Sequence, residues 1–259
     1  MNTVPLPSST RGSDSPMLRS EALSAQLEPF DSYWQAPENI DAGYAKFKAY
    51  YKSNYLRHLP VDTGVSVLVI SCGPGYLLET LKEAGYENVV GIDSDSAKVE
   101  HGRARGLNCI SARAFEYLGD SATSYDVIIP EQELNHLTLE ETIAFLRLCH
   151  VRLNPGGRLI VYGLNGANPF VGSENLAHNI DHFYTFTEYS LQQILGLAGF
   201  HDVRVMNLEL YVFWKNPLNY VGLAVTKGLE LVCRVLFKLY GKDVKLLSKK
   251  IMAVCDRTS

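Results

Sequence analysis

Residues 67–81 read VLVISCGPGYLLETL, an apolar run that breaks at two glycines and resumes with helical spacing. The run suits a buried strand, and Gly73 and Gly75 fall where a backbone must turn sharply and approach a ligand without a Cβ in the way. A helix opening at Tyr76 would then turn its amino end toward that ligand. A dinucleotide pocket would want a third glycine at position 78, where the chain has Leu78, so NAD is not specified. Twenty residues beyond Gly73, VVGIDSD ends a second strand on Asp93. A carboxylate there can accept both hydroxyls of a ribose, and a ribose without a required pyrophosphate points to an adenosyl ligand. The competing role for Asp93 is to cap the following helix, for which Asp95 is better placed.

Outward from this stretch, strand-like and helix-like runs alternate. Strands are expected at 65–70, 89–92, 109–111, 125–129 and 158–162, and helices at 76–84, 96–105 and 139–153. Such alternation predicts a parallel sheet covered on both faces. Upstream, Tyr44, Phe47, Tyr51 and Tyr55 recur at helical intervals and predict a helix over the start of the main domain, within an N-terminal helical cap at 17–60. Downstream of Gly163 comes a loop of about twenty residues, long enough to expect a function. It ends at a helix that Thr187 can cap and Gly199 can close, and two final strands follow in VRVMNLELYVFW and KIMAVCD.

Composition narrows the class. The chain has 259 residues, 46% of them hydrophobic, enough for one α/β domain at 61–259 with a real core. Its 5 cysteines lie apart, without CxxC pairs or histidines at metal spacing, so neither a disulfide framework nor a zinc site is indicated and a reducing cytoplasm fits. Residues 1–16, rich in Ser, Pro and Thr, lack a signal peptide's apolar core and read as a disordered tail. The net charge of −4 is uneven: residues 217–253 carry seven basic and two acidic side chains, +5, which leaves −9 elsewhere.

The sequence resembles the class I S-adenosylmethionine-dependent methyltransferases, in particular the branch of ubiquinone-biosynthesis-like O-methyltransferases, over roughly residues 44–206. Four landmarks carry the likeness in order: VLVISCGPG, VVGIDSD, YDVIIPEQELNHL and LNPGGRLIV. The resemblance implies a doubly wound, Rossmann-like α/β fold with a mostly parallel seven-stranded sheet and an antiparallel last strand. It also implies S-adenosyl-L-methionine as cofactor, held by Ser71, Gly73, Gly75 and Asp93, with Ala114 and Phe115 at the adenine. Two positions depart from the family: Val69 replaces the acid of strand one and Ser71 the first glycine of the turn. Tyr50, Tyr51 or Tyr55 could compensate at the methionyl carboxylate, or could simply pack the helix.

For an acceptor hydroxyl a base is useful. Glu131, Gln132 and Glu133 stand at the carboxyl end of strand four, where open α/β sheets bind ligands, and His136 follows in the position of the family's EHL histidine. The long loop adds Asn165, Asn168, His178, Asp181 and His182. Its DHFYTFT portion resembles the family's His-aromatic-Thr stretch, which makes His182 the first choice for general base, with Asp181 or another carboxylate to orient its ring. His136 and His182 each have a structural alternative in capping, packing or bonding the local backbone. No metal is expected, since His178 and His182 are four apart without a helix established to align them.

The insert at about 216–241 sets Lys227, Glu230, Arg234 and Lys238 in one stripe on an otherwise apolar helix. Its charges argue against a transmembrane span, and it needs a surface: the protein's own body, a second subunit or an anionic membrane. The expected function is O-methylation of a hydroxylated small molecule or glycan, with bacterial surface-polysaccharide biosynthesis as a setting and a location in the cytoplasm or at the inner membrane face. The alternative is a catalytically inactive S-adenosylmethionine-binding structural or regulatory protein, motivated by Val69 and Ser71. Nucleic acid is not expected, because PEQE at strand four is acidic.

Overall fold

The computed structural model describes residues 18–20, 36, 38–131, 134–209 and 217–258. The expected tail at 1–16, most of the cap before Glu38, Gln132 and Glu133, and the end of VRVMNLELYVFW lie outside the described residues. The described strands are β1 (Val67–Ile70), β2 (Val89–Asp93), β3 (Cys109–Ser111), β4 (Tyr125–Pro130), β5 (Leu153–Leu164), β6 (His201–Asn207) and β7 (Lys250–Asp256). They form one seven-stranded sheet in the order β3-β2-β1-β4-β5-β7-β6. β1 through β5 pair in parallel, whereas β7 runs antiparallel to both β5 and β6.

Side-chain alternation divides the core between the two faces of the sheet. Val67, Val69, Val127, Ile129, Ile160 and Met252 point to one side, against α1 (Ile40–Asn54) and α2 (Tyr76–Glu83). Leu68, Ile70, Ile128, Leu159 and Val161 point to the other, against α5 (Leu139–Arg152) and α7 (Glu188–Leu197). Since β1 is buried along its whole length, its four residues are all apolar instead of alternating. Val69, at the position of the family's acid, is wholly within this core.

Helix ends follow local chemistry. Thr138 and Glu141 form a capping box on α5, Thr187 and Ser190 one on α7, and Asp95 caps α3 (Ser96–Ala104) as expected. Gly199, with φ at 102°, closes the segment after α7. Three elements depart from expectation. ARAFEYL contains a helix, α4 (Ala114–Asp120); the loop after β5 contains another, α6 (Gly172–Ala177); and β5 begins at Leu153, well before the expected 158. The expected insert is a helix of 23 residues, α8 (Pro217–Leu239). Among the described residues no helix is long and apolar enough to cross a membrane.

Candidate active site

The loops at the carboxyl ends of β1, β2, β4 and β5 lie at one end of the parallel strands, and most of the expected site residues fall in them. The turn after β1 carries three residues in the left-handed region: Ser71 (φ 56°), Gly73 (φ 53°) and Gly75 (φ 93°). Ser71 adopts the glycine conformation with a side chain, a state that costs about 1 kcal/mol or more. Gly75 has a packing reason beside the expected approach to a ligand. A Cβ there would stand 2.6 Å from Leu107 Cδ1, so the requirement comes from packing as well as from φ.

Asp93 ends β2 with its carboxylate aimed across the turn. Oδ2 accepts from the Gly73 N–H at 2.8 Å and Oδ1 from the Asp95 N–H at 2.9 Å, while Asp95 itself caps the helix. These bonds hold the carboxylate at the strand end and leave acceptor capacity on both oxygens for a pair of hydroxyls. Phe115 lies just past β3 on the first turn of α4, its ring 5.7 Å from that of Phe145, with Ala114 at the helix start.

Helix α1 covers the turn. The Tyr44 hydroxyl donates to the Pro74 carbonyl, and the Tyr76 hydroxyl donates to the Ile40 carbonyl at 2.9 Å. Tyr51, considered for the cofactor carboxylate, instead donates to Glu131 Oε2 at 2.8 Å, and burial beside this carboxylate pushes its phenol far above the usual tyrosine range. Tyr55 is 1% exposed, and its hydroxyl has no hydrogen-bond partner among the described residues. Glu131 is anchored to β1 through its own N–H, which donates to the Ile70 carbonyl at 2.8 Å. The base candidate and the tyrosine of the cap are thus one linked pair beside the glycine turn.

The histidines sort differently from expectation. Asp181 orients His136, not His182: Nδ1 of His136 lies 2.9 Å from Asp181 Oδ2. The His182 ring stands edge-on to His136 at 4.5 Å, with its own Nδ1 2.6 Å from the Asn175 carbonyl. A carbonyl only accepts, so His182 carries its proton on Nδ1 and presents a bare, buried Nε2 without a partner among the described residues. His178 caps the end of α6 and pairs with Glu174 at 2.7 Å, half exposed. Because α6 stops at Ala177, His178 and His182 do not share a helix. One atom each of His136, Asp181 and His182 lie within 4.8 Å of one another, a donor set of the kind divalent metals accept. Sequence spacing hides this set, since its residues come from two segments that only the fold brings together.

Asn135 is a residue that sequence reasoning passed over. It is fully buried, and neither its Oδ1 nor its Nδ2 has a partner among the described residues. Leaving such a group unpaired costs about 1 to 3 kcal/mol, and the residue that bears this cost directly precedes His136. The loop asparagines have other duties. Nδ2 of Asn165 donates to the Leu246 and Ser248 carbonyls and that of Asn168 to the Leu247 carbonyl, tying the loop to the segment before β7. Past this seam lies a cavity of about 520 Å³, walled by Leu208 at the end of β6, Phe170 in the loop, Leu247, and Leu223 and Cys233 of α8.

Residues 67–157 match the family model described as a methyltransferase domain. Among solved structures, the chain is similar to a SAM-dependent methyltransferase from Archaeoglobus fulgidus, at 21% identity and a TM-score of 0.63, covering 87% of this chain and 100% of that one. It is similar to a possible histamine N-methyltransferase from Thermotoga maritima at 14% identity and a TM-score of 0.55, covering 87% and 98%. It is also similar to phosphoethanolamine N-methyltransferase 2 of Haemonchus contortus, solved with S-adenosyl-L-methionine, at 15% identity and a TM-score of 0.55; it covers 90% of this chain but 61% of that one. No curated protein matches in sequence. At these identities the shared property of the solved structures is the fold. Fold and matched domain together define a SAM-dependent methyltransferase, and S-adenosylmethionine is the cofactor of that class.

Proposed function

We propose that the chain is an O-methyltransferase acting on a hydroxyl of a small molecule or glycan, with His136 as general base and Asp181 as its orienting partner. The observation that carries this reading is the 2.9 Å contact between them. A carboxylate on Nδ1 keeps that proton in place, directs the other ring nitrogen outward as the base, and stabilises the imidazolium that forms. His136 is also reachable, with its side chain 29% exposed, whereas Nε2 of His182, the first choice from sequence, is sealed in. His182 would then position the His136 ring.

Asp93 would hold the cofactor ribose, the turn at Ser71 and Gly73 would face the methionyl end, and Phe115 would border the adenine. When bound, S-adenosylmethionine supplies a methyl group on a sulfonium as the electrophile. His136 would take the hydroxyl proton of the acceptor. The apolar cavity beside α8 would receive the remainder of the acceptor, and its size falls in the range of small-molecule pockets. A role in surface-polysaccharide biosynthesis is one setting in which such an acceptor occurs.

The test is transfer of a labelled methyl group onto a panel of hydroxylated small molecules, nucleotide sugars and polysaccharides. Cofactor binding without transfer to any of them would favour the inactive, regulatory reading that Val69 and Ser71 first raised. The same assay with EDTA addresses the three-residue donor set: an unchanged rate supports proton transfer by His136. Loss of activity that a divalent ion restores would convert the cluster into a metal site.

A further inference from the structure

Helix α8 leaves its most uniformly apolar side exposed. A surface helix normally buries its apolar stripe and exposes its polar face. On α8 the side turned toward the cavity mixes Asn219, Thr226 and Glu230 with Leu223, Leu229 and Cys233, of which Cys233 is the buried position. The opposite side is apolar and faces outward: Leu218 is 73% exposed, Val221 61%, Val225 56%, Val232 55% and Leu239 77%. At 100° per residue these positions fall on one continuous arc. Contiguous exposed apolar surface of this kind marks an interaction face.

The charges bordering that arc select the occupant. Lys227, Arg234 and Lys238 run along one edge of the helix, and Lys242 and Lys245 continue beyond its end, within the segment of net charge +5 in a chain otherwise at −9. A second copy packed symmetrically through α8 would set the same basic border against this one. An anionic lipid surface offers both an apolar phase and opposite charge. Since no described helix can cross a bilayer, the geometry that remains is one lying in the interface.

We propose that α8 docks the protein on an anionic membrane surface, with Val221, Val225 and Val232 among the acyl chains and Lys238 and Lys242 at headgroup level. The docking does not depend on the chemistry assigned to His136. The cavity beneath α8 would lie directly behind the lipid-bound helix.

Flotation of the full chain with vesicles of phosphatidylcholine and phosphatidylglycerol tests this. The expected result is binding at low salt that weakens about tenfold in high salt or on phosphatidylcholine alone. The pair Val221→Asp and Val232→Asp should abolish flotation, and Lys238→Glu with Lys242→Glu should remove its salt-dependent part. All four side chains are exposed, so melting temperature and S-adenosylmethionine affinity by calorimetry should stay unchanged, which keeps this outcome separate from failure of the methyltransferase reading. Failure of the wild type to float at low salt would overturn the proposal. So would a dimer by light scattering that Val232→Asp dissociates, since the apolar face would then be a subunit interface.

Discussion

Nδ1 of His136 sits 2.9 Å from Oδ2 of Asp181, a residue 45 positions later in the chain. The contact joins the segment after β4 to the loop after β5, and a backbone bond from the Phe183 N–H to the Asn135 carbonyl at 2.8 Å braces it. His136→Ala is therefore expected to lower turnover by roughly 10² to 10⁴ with S-adenosylmethionine affinity intact. Asp181→Asn should lower it less, and His178→Ala, removing a surface pair, should leave it unchanged. Steady-state kinetics with calorimetry on the same samples checks all three. If His182→Ala is the damaging change and His136→Ala is harmless, the base is His182 after all.

Asp93→Ala should weaken S-adenosylmethionine binding at least tenfold, since charge-assisted hydrogen bonds are worth about 1.5 to 3 kcal/mol each. The substitution also releases the Gly73 and Asp95 N–H groups, so the melting temperature should be recorded with the affinity. Unaltered affinity would remove Asp93 from the site.

Gly75→Val is expected to damage the fold before it damages binding. The new Cβ would meet Leu107 Cδ1 at 2.6 Å and impose a φ of 93° on a β-branched residue. Overpacking of this kind costs about 1 to 3 kcal/mol, and backbone strain adds to it. Combining it with Leu107→Ala should recover the steric part in a denaturant melt; no recovery would mean that φ alone makes the position a glycine.

Asp126 ties the start of β1 to β4 and β5, accepting from the Ser66 N–H and hydroxyl at 2.8 Å each and from Asn154 Nδ2 at 2.7 Å. The Ser66 N–H foremost, with Asn154 and the Ser66 hydroxyl, holds its carboxyl below the usual carboxylate range. A carboxyl depressed in the folded state contributes stability that is present above its unfolded value and lost as pH falls through its folded one. Thermal melts from about pH 6 downward should accordingly show a shallower acid loss in Asp126→Asn than in the wild type. Parallel curves would assign the acid loss to other carboxyls.

Local chemistry made most of the fold legible in the sequence. Strand and helix periodicity, the Thr138, Thr187 and Asp95 caps and the left-handed Gly73 and Gly75 depend on residues within a few positions of one another, so they can be read without knowing the sheet order. The carboxylate of Asp93 was legible for the same reason, since a strand end twenty residues past the turn must lie beside it in a parallel pair. Contacts between distant segments were not. That Asp181 faces His136 while His182 turns to Asn175, and that Tyr51 donates to Glu131, follows from which loops the β1-β4-β5 order places side by side. The stripe on α8 was visible from periodicity, but periodicity carries no direction. Only the packing of Cys233 and Leu223 over the cavity decided that the charged border flanks an apolar face turned away from the protein.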